Sequence, residues 1–549
     1  MLGRTLMIFW VGGLMIISGW IKPTVAHEPV IYHVSAAAGN DNNDGLTPTT
    51  PWRTLAKANA LVQPGDCVLL YQGIYREPIA PRRSGAEQQR ISYRAVDAQE
   101  VIIEGARQLI QLYEKSYITI EGLIFRNPIK GWGEIRAGHY NEIINNTFIG
   151  NGRSAETLFS GLNLFSGSSF NRLVGNLFYH WGEPASQWGD AVRLSEHADH
   201  NLIEGNLFIN AGHSLLGIDT SFNIVRRNYF ANNWQKGIDL VWRVNPSFAL
   251  GQQFVARRNV IEENLFVGGR PRGMSDRVGP AIQLAAAETI IRRNLIVGQD
   301  RGGLYINGWS EAPHVYGNRI YHNTIINNGG IGIACLNFGV AGVDLSKNEF
   351  KNNLVCGNSW QSDAVQVRID LLPRASFGPE FFAGYAFAGN GLSRAPLLDI
   401  TSLAGQQSLA VYQQRYPQWM MNNFSAEPQF VNAAAGDYRL ASGSPGIDAA
   451  VPLTATVAAG SGTVVPVVDV SYFTDGHGLK RGDRIRIGSN PPATILRIHE
   501  LRQTLVTDTT LVWEAGDGVY LEEFDGQRPD VGAFESQFRT SDVNRVGRE

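Results

Sequence analysis

A regular pattern of polar and apolar positions recurs through the middle of the chain. Residues 141–148, NEIINNTF, place Asn first and sixth and an aromatic residue eighth. Later copies begin at Asn171, Asn201, Asn223, Asn259, Thr289, Asn318 and Asn348, at intervals of 30, 30, 22, 36, 30, 29 and 30 residues. When such units stack, each polar residue can lie against the equivalent polar residue of the next unit, and each apolar residue against its apolar equivalent. A repeat with one polar and one apolar position held fixed therefore predicts a solenoid.

The residues inside each unit indicate the kind of solenoid. The runs between the Asn and Gly positions are short and rich in β-branched and aromatic residues, and they leave no room for paired helices. Asn side chains stacked about 4.8 Å apart can hydrogen-bond along the stack. Each unit is therefore predicted to be one coil of short strands. Coils longer than 22 residues should carry loops that wall a groove, at residues 181–188, 243–248 and 269–274.

These features together resemble the right-handed parallel β-helix of the pectate-lyase-like superfamily, over roughly residues 90–370. The fold class that the resemblance implies is all-β: a right-handed parallel β-helix solenoid with helical caps and a small C-terminal β domain. The early strand, the Gly-Asp-Asn loop at residues 39–45 and the helix that follows Trp52 look like the start of many secreted bacterial β-helix proteins. A turn that caps this helix is the preferred interpretation of the loop, and a calcium loop is the alternative.

The sequence predicts six segments. Residues 1–26 form a signal peptide, because a positive start precedes the apolar run from Leu6 to Ile21 and a small-residue exit, although an uncleaved anchor is the alternative. The others are an N-terminal strand and capping helix (27–65), the β-helix (66–370), a C-terminal cap with a helix at 402–416 (371–449), a small inserted β domain (450–525) and a closing segment with a disordered tail (526–549). The mature protein is expected to be secreted, extracellular or periplasmic, without a stable membrane span.

Composition and charge narrow the function classes. A formal net charge of −3 over 549 residues gives no bulk preference for nucleic acid or an anionic membrane. Cys67, Cys335 and Cys356 are odd in number and have no CxxC spacing, so neither a disulfide framework nor a zinc site is indicated. The expected partner is a polysaccharide, no nucleic acid is expected, and the protein is expected to be a monomer.

One strand in each coil can be aligned by its inward apolar residues, such as Leu216 and Ile218. In this alignment, charged residues occupy the outward position on three consecutive coils: Arg193, Asp219 and Asp239. On adjacent rungs the two carboxylates would lie roughly 5 Å apart. The residues expected to point outward are Asn163, Arg193, Asp219, Asp239, Gln283, Tyr305 and Ala334.

This charge cluster has three interpretations. In a lyase, acidic residues hold calcium against a uronate carboxylate while a Lys, Arg or His removes the proton next to that carboxylate. A hydrolase would use Asp219 and Asp239 as acid and nucleophile, since about 5–5.5 Å is the spacing of retaining enzymes. The third interpretation is an ion ladder of Arg193, Asp219 and Asp239 that only stabilises stacking.

The lyase is our leading hypothesis. It predicts Ca²⁺ on Asp219 and Asp239, Lys236 or His213 as the base, and Arg193 as the group that neutralises the substrate carboxylate. The predicted substrate-binding residues are Asp190, Trp242, Arg243, Gln283 and Tyr305. A glycoside hydrolase with an Asp pair, and a non-catalytic polysaccharide-binding or cell-surface protein, remain the alternatives.

Familiar motifs do not extend these assignments. The successive Asn-Thr-Asp, Asp-Asp and Gly-His-Gly motifs of polygalacturonases are not found in the solenoid, and neither is the Asp-Pro-His-Asp signature of alginate epimerases. A Gly-His-Gly does occur at residues 476–478, in the predicted inserted domain. We therefore predict that His477 is not catalytic.

Overall fold

The computed structural model describes residues 27–96, 99–150, 160–182, 189–244, 253–268, 279–359, 365–382, 384–392, 398–425, 427–522, 524 and 526–536. The predicted signal peptide, most of the three predicted groove loops and the tail from residue 537 lie outside the described residues. Within these ranges, no helix combines the length and the apolar character that crossing a membrane requires.

Three long sheets contain most of the strands of the described chain, and nearly all their strand pairs are parallel. The first sheet runs through Ile31–Val34, Cys67–Leu70, Ile91–Ala95, Ile118–Glu121, Glu142–Ile144, Arg172–Val174, Leu202–Glu204, Ile224–Arg226, Val260–Glu262, Ile290–Arg292, Arg319–Tyr321, Glu349–Lys351, Ala386–Ala388 and Met420–Met421. The second runs through Gly73–Tyr75, Val101–Glu104, Ile124–Arg126, Thr147–Ile149, Leu177–Trp181, Leu207–Ala211, Tyr229–Ala231, Leu265–Val267, Leu295–Val297, Thr324–Ile326, Leu354–Cys356, Gly391–Leu392 and Phe424–Ser425.

The third sheet carries the charged residues singled out above. It runs through Gln108–Tyr113, Gly131–Arg136, Leu162–Phe165, Val192–Leu194, Ser214–Ile218, Lys236–Val241, Ile282–Ala285, Leu304–Asn307, Ile333–Leu336, Val367–Asp370 and Leu398–Ile400, and ends on the antiparallel strand Gly405–Gln407. From the strand Ile91–Ala95 to the strand Leu398–Ile400, each coil thus contributes one strand to each sheet. The predicted β-helix is confirmed.

Side-chain ladders run along the coils as the sequence predicts. Asn141 Nδ2 donates to Asn171 Oδ1 at 3.0 Å, and Asn146 Nδ2 donates to Asn176 Oδ1 at 3.1 Å. The aromatic column stacks as well, with 4.8 Å between the ring centroids of Phe148 and Phe178. The residue before each Asn turns the chain: Asn145 and its equivalents take a left-handed conformation, φ 53° at Asn145. The ladder Asn then satisfies backbone groups at that turn.

Short elements close both ends of the solenoid. Thr54 caps the helix Leu55–Leu61, and Asp41 accepts hydrogen bonds from the backbone N–H of Arg53 and of Thr54, so the early polar loop holds the helix start. The other helices are Pro379–Phe382 and Leu409–Arg415, with 3₁₀ turns at Arg374–Ser376, Ala433–Ala435 and Glu500–Arg502. The helix predicted at 402–416 is therefore shorter, because a turn with Gly405 at φ 65° and a strand precede it.

A small antiparallel sheet forms the C-terminal β domain. Its strands are Thr454–Ala455, Gly460–Pro466, Arg484–Ile487, Ala493–His499, Thr504–Trp513 and Gly518–Leu521. Two further hairpins pair Arg243–Val244 with Gln253–Phe254 and Phe430–Asn432 with Asp437–Leu440. The domain packs on the outer face of the first sheet, where Ile224 and Val260 join its apolar core. The segments on either side meet again, because Ala450 N donates to Pro529 O at 3.1 Å.

Candidate functional site

The outward column of the third sheet follows from its strand register. Along successive coils it contains Asn163, Arg193, Gly217, Asp239, Gln283, Tyr305, Ala334 and Arg368. The sequence alignment placed Asp219 in this column, but Gly217 holds that position. Asp219 follows the strand, and its N–H donates to Leu194 O at 2.9 Å. Asp219 and Asp239 therefore do not stack on adjacent rungs of one column, which differs from the expectation.

Gly217 leaves space that neighbouring charged groups use. A Cβ at this position would lie 2.8 Å from Asp190 Oδ2 and 3.4 Å from Arg193 Nη1. The first distance is shorter than real Cβ contacts, so a side chain here would displace the carboxylate. The missing side chain thus permits charged side chains from three coils to meet. We call this group the central cluster: Asp190, Arg193, His213, Asp219, Lys236 and Asp239.

One half of the central cluster is organised by Arg193. Its Nη1 donates to Asp190 Oδ2 at 2.6 Å, and its Nη2 donates to Asp219 Oδ2. Arg243 approaches the same carboxylate, with 3.9 Å between its Nε and Asp219 Oδ2. One guanidinium therefore bridges carboxylates from two coils, which its several N–H donors allow.

The other half is a chain of contacts through His213. Its Nδ1 lies 2.9 Å from Asp190 Oδ1, and its Nε2 lies 3.3 Å from Lys236 Nζ. Lys236 Nζ also donates to Asp239 Oδ2 at 2.8 Å. The sequence did not single out Ser214, whose hydroxyl donates to Asp190. The sequence alignment could have indicated this contact. When the strand register of Val192 and Leu216 is extended back by two residues, Asp190 lies opposite Ser214.

The pKa values of the three carboxylates shift in different directions. Burial alone would raise the pKa of Asp190, but the charges of Arg193 and His213 outweigh it and hold that pKa well below its usual value. Burial would likewise raise the pKa of Asp239, and the charges of Lys236 and His213 hold it below its usual value. Asp219 differs, since burial raises its pKa and the charge of Arg193 offsets only part of the effect.

The remaining predicted substrate-binding residues lie around this cluster. Gln283 is the next half-buried side chain in the outward column, and Tyr305 follows it. Burial raises the pKa of Tyr305, against the charges of Arg301 and Arg368. Trp242 is buried, with its ring centroid 4.6 Å from that of His314. The two rings are tilted at 45° to each other.

The predicted calcium site can be tested against these contacts. Calcium takes about 6–8 oxygen ligands. Asp219 already faces Arg193, and Asp239 already faces Lys236. Within the described ranges, no three His, Cys, Asp or Glu side chains are grouped so that they could hold a metal ion. The arrangement of Asp219 and Asp239 thus fits protein cations and does not fit a calcium ion.

The Gly-His-Gly motif lies away from this cluster. His477 packs edge-on against Phe222, with 5.4 Å between ring centroids, and burial lowers its pKa to about 4. The contact joins the C-terminal domain to the solenoid. That His477 is not catalytic stays a prediction.

Comparison with known proteins finds similar chains. The family model for a right-handed beta helix region matches residues 91–251. The uncharacterized protein YwoF of Bacillus subtilis (strain 168) is 31% identical over 97 residues, which are 16% of this chain and 20% of that protein. The match thus spans about a fifth of that curated relative.

Comparison with solved structures finds matches of low sequence identity. The pectate lyase Pel9A is 14% identical with a TM-score of 0.47, and the match covers 93% of this chain and 97% of that one. A mannuronic acid specific polysaccharide family 6 lyase from human gut microbiota is 15% identical with a TM-score of 0.48, over 74% of this chain and 94% of that one. The parallel sheets and the family match together identify the chain as a right-handed parallel β-helix protein.

Proposed function

We propose that the protein is an exported polysaccharide lyase that cleaves a uronate-containing polysaccharide by β-elimination on the face of its third sheet. The observation that carries this proposal is the layering of charge in the central cluster. The side chains of Asp190, Asp219 and Asp239 are only 4%, 6% and 4% exposed. The cations above them are more exposed: Arg193 21%, His213 14%, Lys236 15% and Arg243 34%.

This layering suits an anionic substrate. A polymer laid on the face meets guanidinium, imidazole and ammonium groups before it meets any carboxylate. Arg243 is the most exposed of these cations, with 34% of its side chain exposed, while its Nε lies 3.9 Å from Asp219 Oδ2. Arg243 and Arg193 are therefore placed to neutralise a uronate carboxylate, which makes the neighbouring C5 proton more acidic.

The contacts of His213 and Lys236 favour one assignment of the base. Lys236 donates to the Asp239 carboxylate, which favours the protonated ammonium, whereas His213 Nε2 faces it as an acceptor. His213 Nε2 takes the C5 proton, and the C–H electron pair becomes the C4–C5 double bond as the C4–O bond breaks. The leaving oxygen takes a proton from Lys236. His213 then returns its proton to Lys236 across their 3.3 Å contact, and the site is restored.

Glycoside hydrolysis is the second candidate, and a specific observation favours it. The environments push the pKa of Asp219 up and that of Asp239 down. A separation of this kind is how one site supplies both a general acid and a general base. The position of both carboxylates under a layer of cations is the reason to prefer the lyase.

The experiment is incubation of the mature chain, from residue 27, with a panel of acidic and neutral polysaccharides. A lyase produces an unsaturated uronate that absorbs in the ultraviolet. Hydrolysis produces reducing ends without that absorbance, and a binding protein produces neither while retarding a polymer in a gel. Absorbance on at least one acidic polymer is the expected result. Reducing ends alone, or retardation alone, would replace the proposal with the corresponding alternative.

A further inference from the structure

Asp190 occupies a special place in the central cluster, because it is buried yet contacts three polar side chains. Its residue is 3% exposed. Arg193 Nη1 lies 2.6 Å from Oδ2, His213 Nδ1 lies 2.9 Å from Oδ1, and the Ser214 hydroxyl donates to Oδ1. At this depth the carboxylate is covered by its partners, so contact with a polymer on the surface is not its role.

The protonation of Asp190 decides the protonation of the imidazole. Burial would raise the pKa of this carboxyl, but the charge of Arg193, together with His213 and Ser214, holds it low, so Asp190 is an acceptor near neutral pH. An acceptor opposite His213 Nδ1 requires the proton on Nδ1. The lone pair of the neutral ring is then on Nε2, the atom that lies 3.3 Å from Lys236 Nζ and 3.7 Å from Asp239 Oδ2.

We propose that Asp190 is a positioning residue that fixes the tautomer and orientation of His213, so that the lone pair lies on Nε2, the ring nitrogen beside Lys236. This inference rests on the proposed function for its role in catalysis, since His213 is the base there. The tautomer itself does not rest on it. An acidic partner that orients an imidazole base in this way also stabilises the imidazolium that forms during the reaction.

Gly217 and Ser214 serve the same arrangement. A Cβ at Gly217 would come 2.8 Å from Asp190 Oδ2 and would push the carboxylate towards His213. Ser214 lies in register with Lys236 on the next coil, and its hydroxyl holds the oxygen that His213 also contacts. The carboxylate is therefore held from two sides before any substrate is present.

The test measures the tautomer directly, in the full protein labelled with ¹⁵N at histidine. The His213→Gln variant identifies the signals of this residue by their loss. In the wild type at neutral pH we expect the proton on Nδ1 and the lone pair on Nε2. A wild-type ring protonated on Nε2 alone would overturn the proposal without any variant and without any substrate.

The Asp190→Asn variant extends the test to the reaction. We expect it to mix the two tautomers of His213, to shift the pH profile of the reaction and to lower kcat about 10- to 1,000-fold with KM nearly unchanged. The Ser214→Ala variant is the matched control, since it removes a hydrogen bond to the same carboxylate and should keep the Nδ1–H tautomer. An Asp190→Asn protein with the wild-type tautomer and kcat would contradict the inference. Absence of lyase activity in the wild type would contradict the proposed function but not the proposed tautomer of His213.

Discussion

Two charge clusters lie on the outward faces of different sheets in this solenoid, and they differ in what covers them. On the first sheet, Arg292 donates to Glu262 at 2.5 Å and to Asp483 at 2.6 Å, and all three side chains are 3% exposed under the C-terminal domain. On the third sheet, the cations of the central cluster remain partly exposed. Charged side chains therefore join the C-terminal domain to the solenoid on the first sheet, whereas similar side chains remain partly exposed on the third sheet.

This difference in burial suggests a contribution to stability for the first cluster and a contribution to a reaction for the second. A buried pair costs desolvation that only good geometry offsets, and it does nothing for a substrate that cannot reach it. A cluster whose cations are more exposed than its carboxylates turns those cations towards solvent. We expect changes in the first cluster to alter unfolding and changes in the second to alter turnover.

The largest effect is expected from His213→Ala. Removing the base should lower kcat by about 10²–10⁴-fold, because positioned proton transfer contributes that much. Asp190 keeps Arg193 and Ser214 as partners in this variant, so the free energy of unfolding should change little. Steady-state kinetics and urea unfolding of the same preparation check both halves. A variant that kept wild-type turnover would transfer the role of base to Lys236.

The next effect concerns the covered cluster. Arg292→Met leaves Glu262 and Asp483 buried, with Lys480 as a remaining partner at 3.2 Å from Glu262. We expect a loss of about 3 kcal/mol in the free energy of unfolding and an unchanged kcat. Arg94→Met is the matched control, since its pair with Glu121 is 50% and 26% exposed and should be worth at most about 1 kcal/mol. Equal losses in the two variants would contradict the contrast between covered and exposed charge.

A smaller effect should appear as a pH slope of stability. Burial lowers the pKa of His322 to about 3 from the ordinary 6.5. Below pH 6.5 the unfolded chain binds a proton that the folded protein does not bind, so stability falls as the pH falls towards 3, by up to about 1.4 kcal/mol per pH unit. Urea unfolding between pH 7 and 4 should show a shallower slope in His322→Asn. An identical slope in both proteins would remove His322 as a cause.

The sequence predicted the fold well because the repeat is carried by residues that contact their own equivalents. Asn141 meets Asn171 and Phe148 meets Phe178, so a spacing of 30 residues is visible as a contact. The inward pair Leu216 and Ile218 also aligned correctly with its neighbours. Residues at equivalent positions of the repeat thus contact each other in the structure.

The central cluster was predicted only in part, because its contacts join residues that do not repeat. The alignment preferred the charged Asp219 to Gly217, since a glycine gives no side-chain signal. The contact of His213 with Asp190 joins residues on either side of a coil boundary, and only the detailed register brings them together. The signal peptide and the groove loops remain predictions, because they lie outside the described residues.

The most direct test of the central claim compares one acidic polysaccharide with the same polymer after its carboxylates have been reduced to alcohols, both in the presence of a chelator. The exposed cations of the third sheet predict ultraviolet absorbance from the acidic polymer and none from the reduced one, with the chelator making no difference. Equal cleavage of both polymers without absorbance, or activity on the acidic polymer that the chelator abolishes, would contradict the claim that protein cations neutralise the substrate.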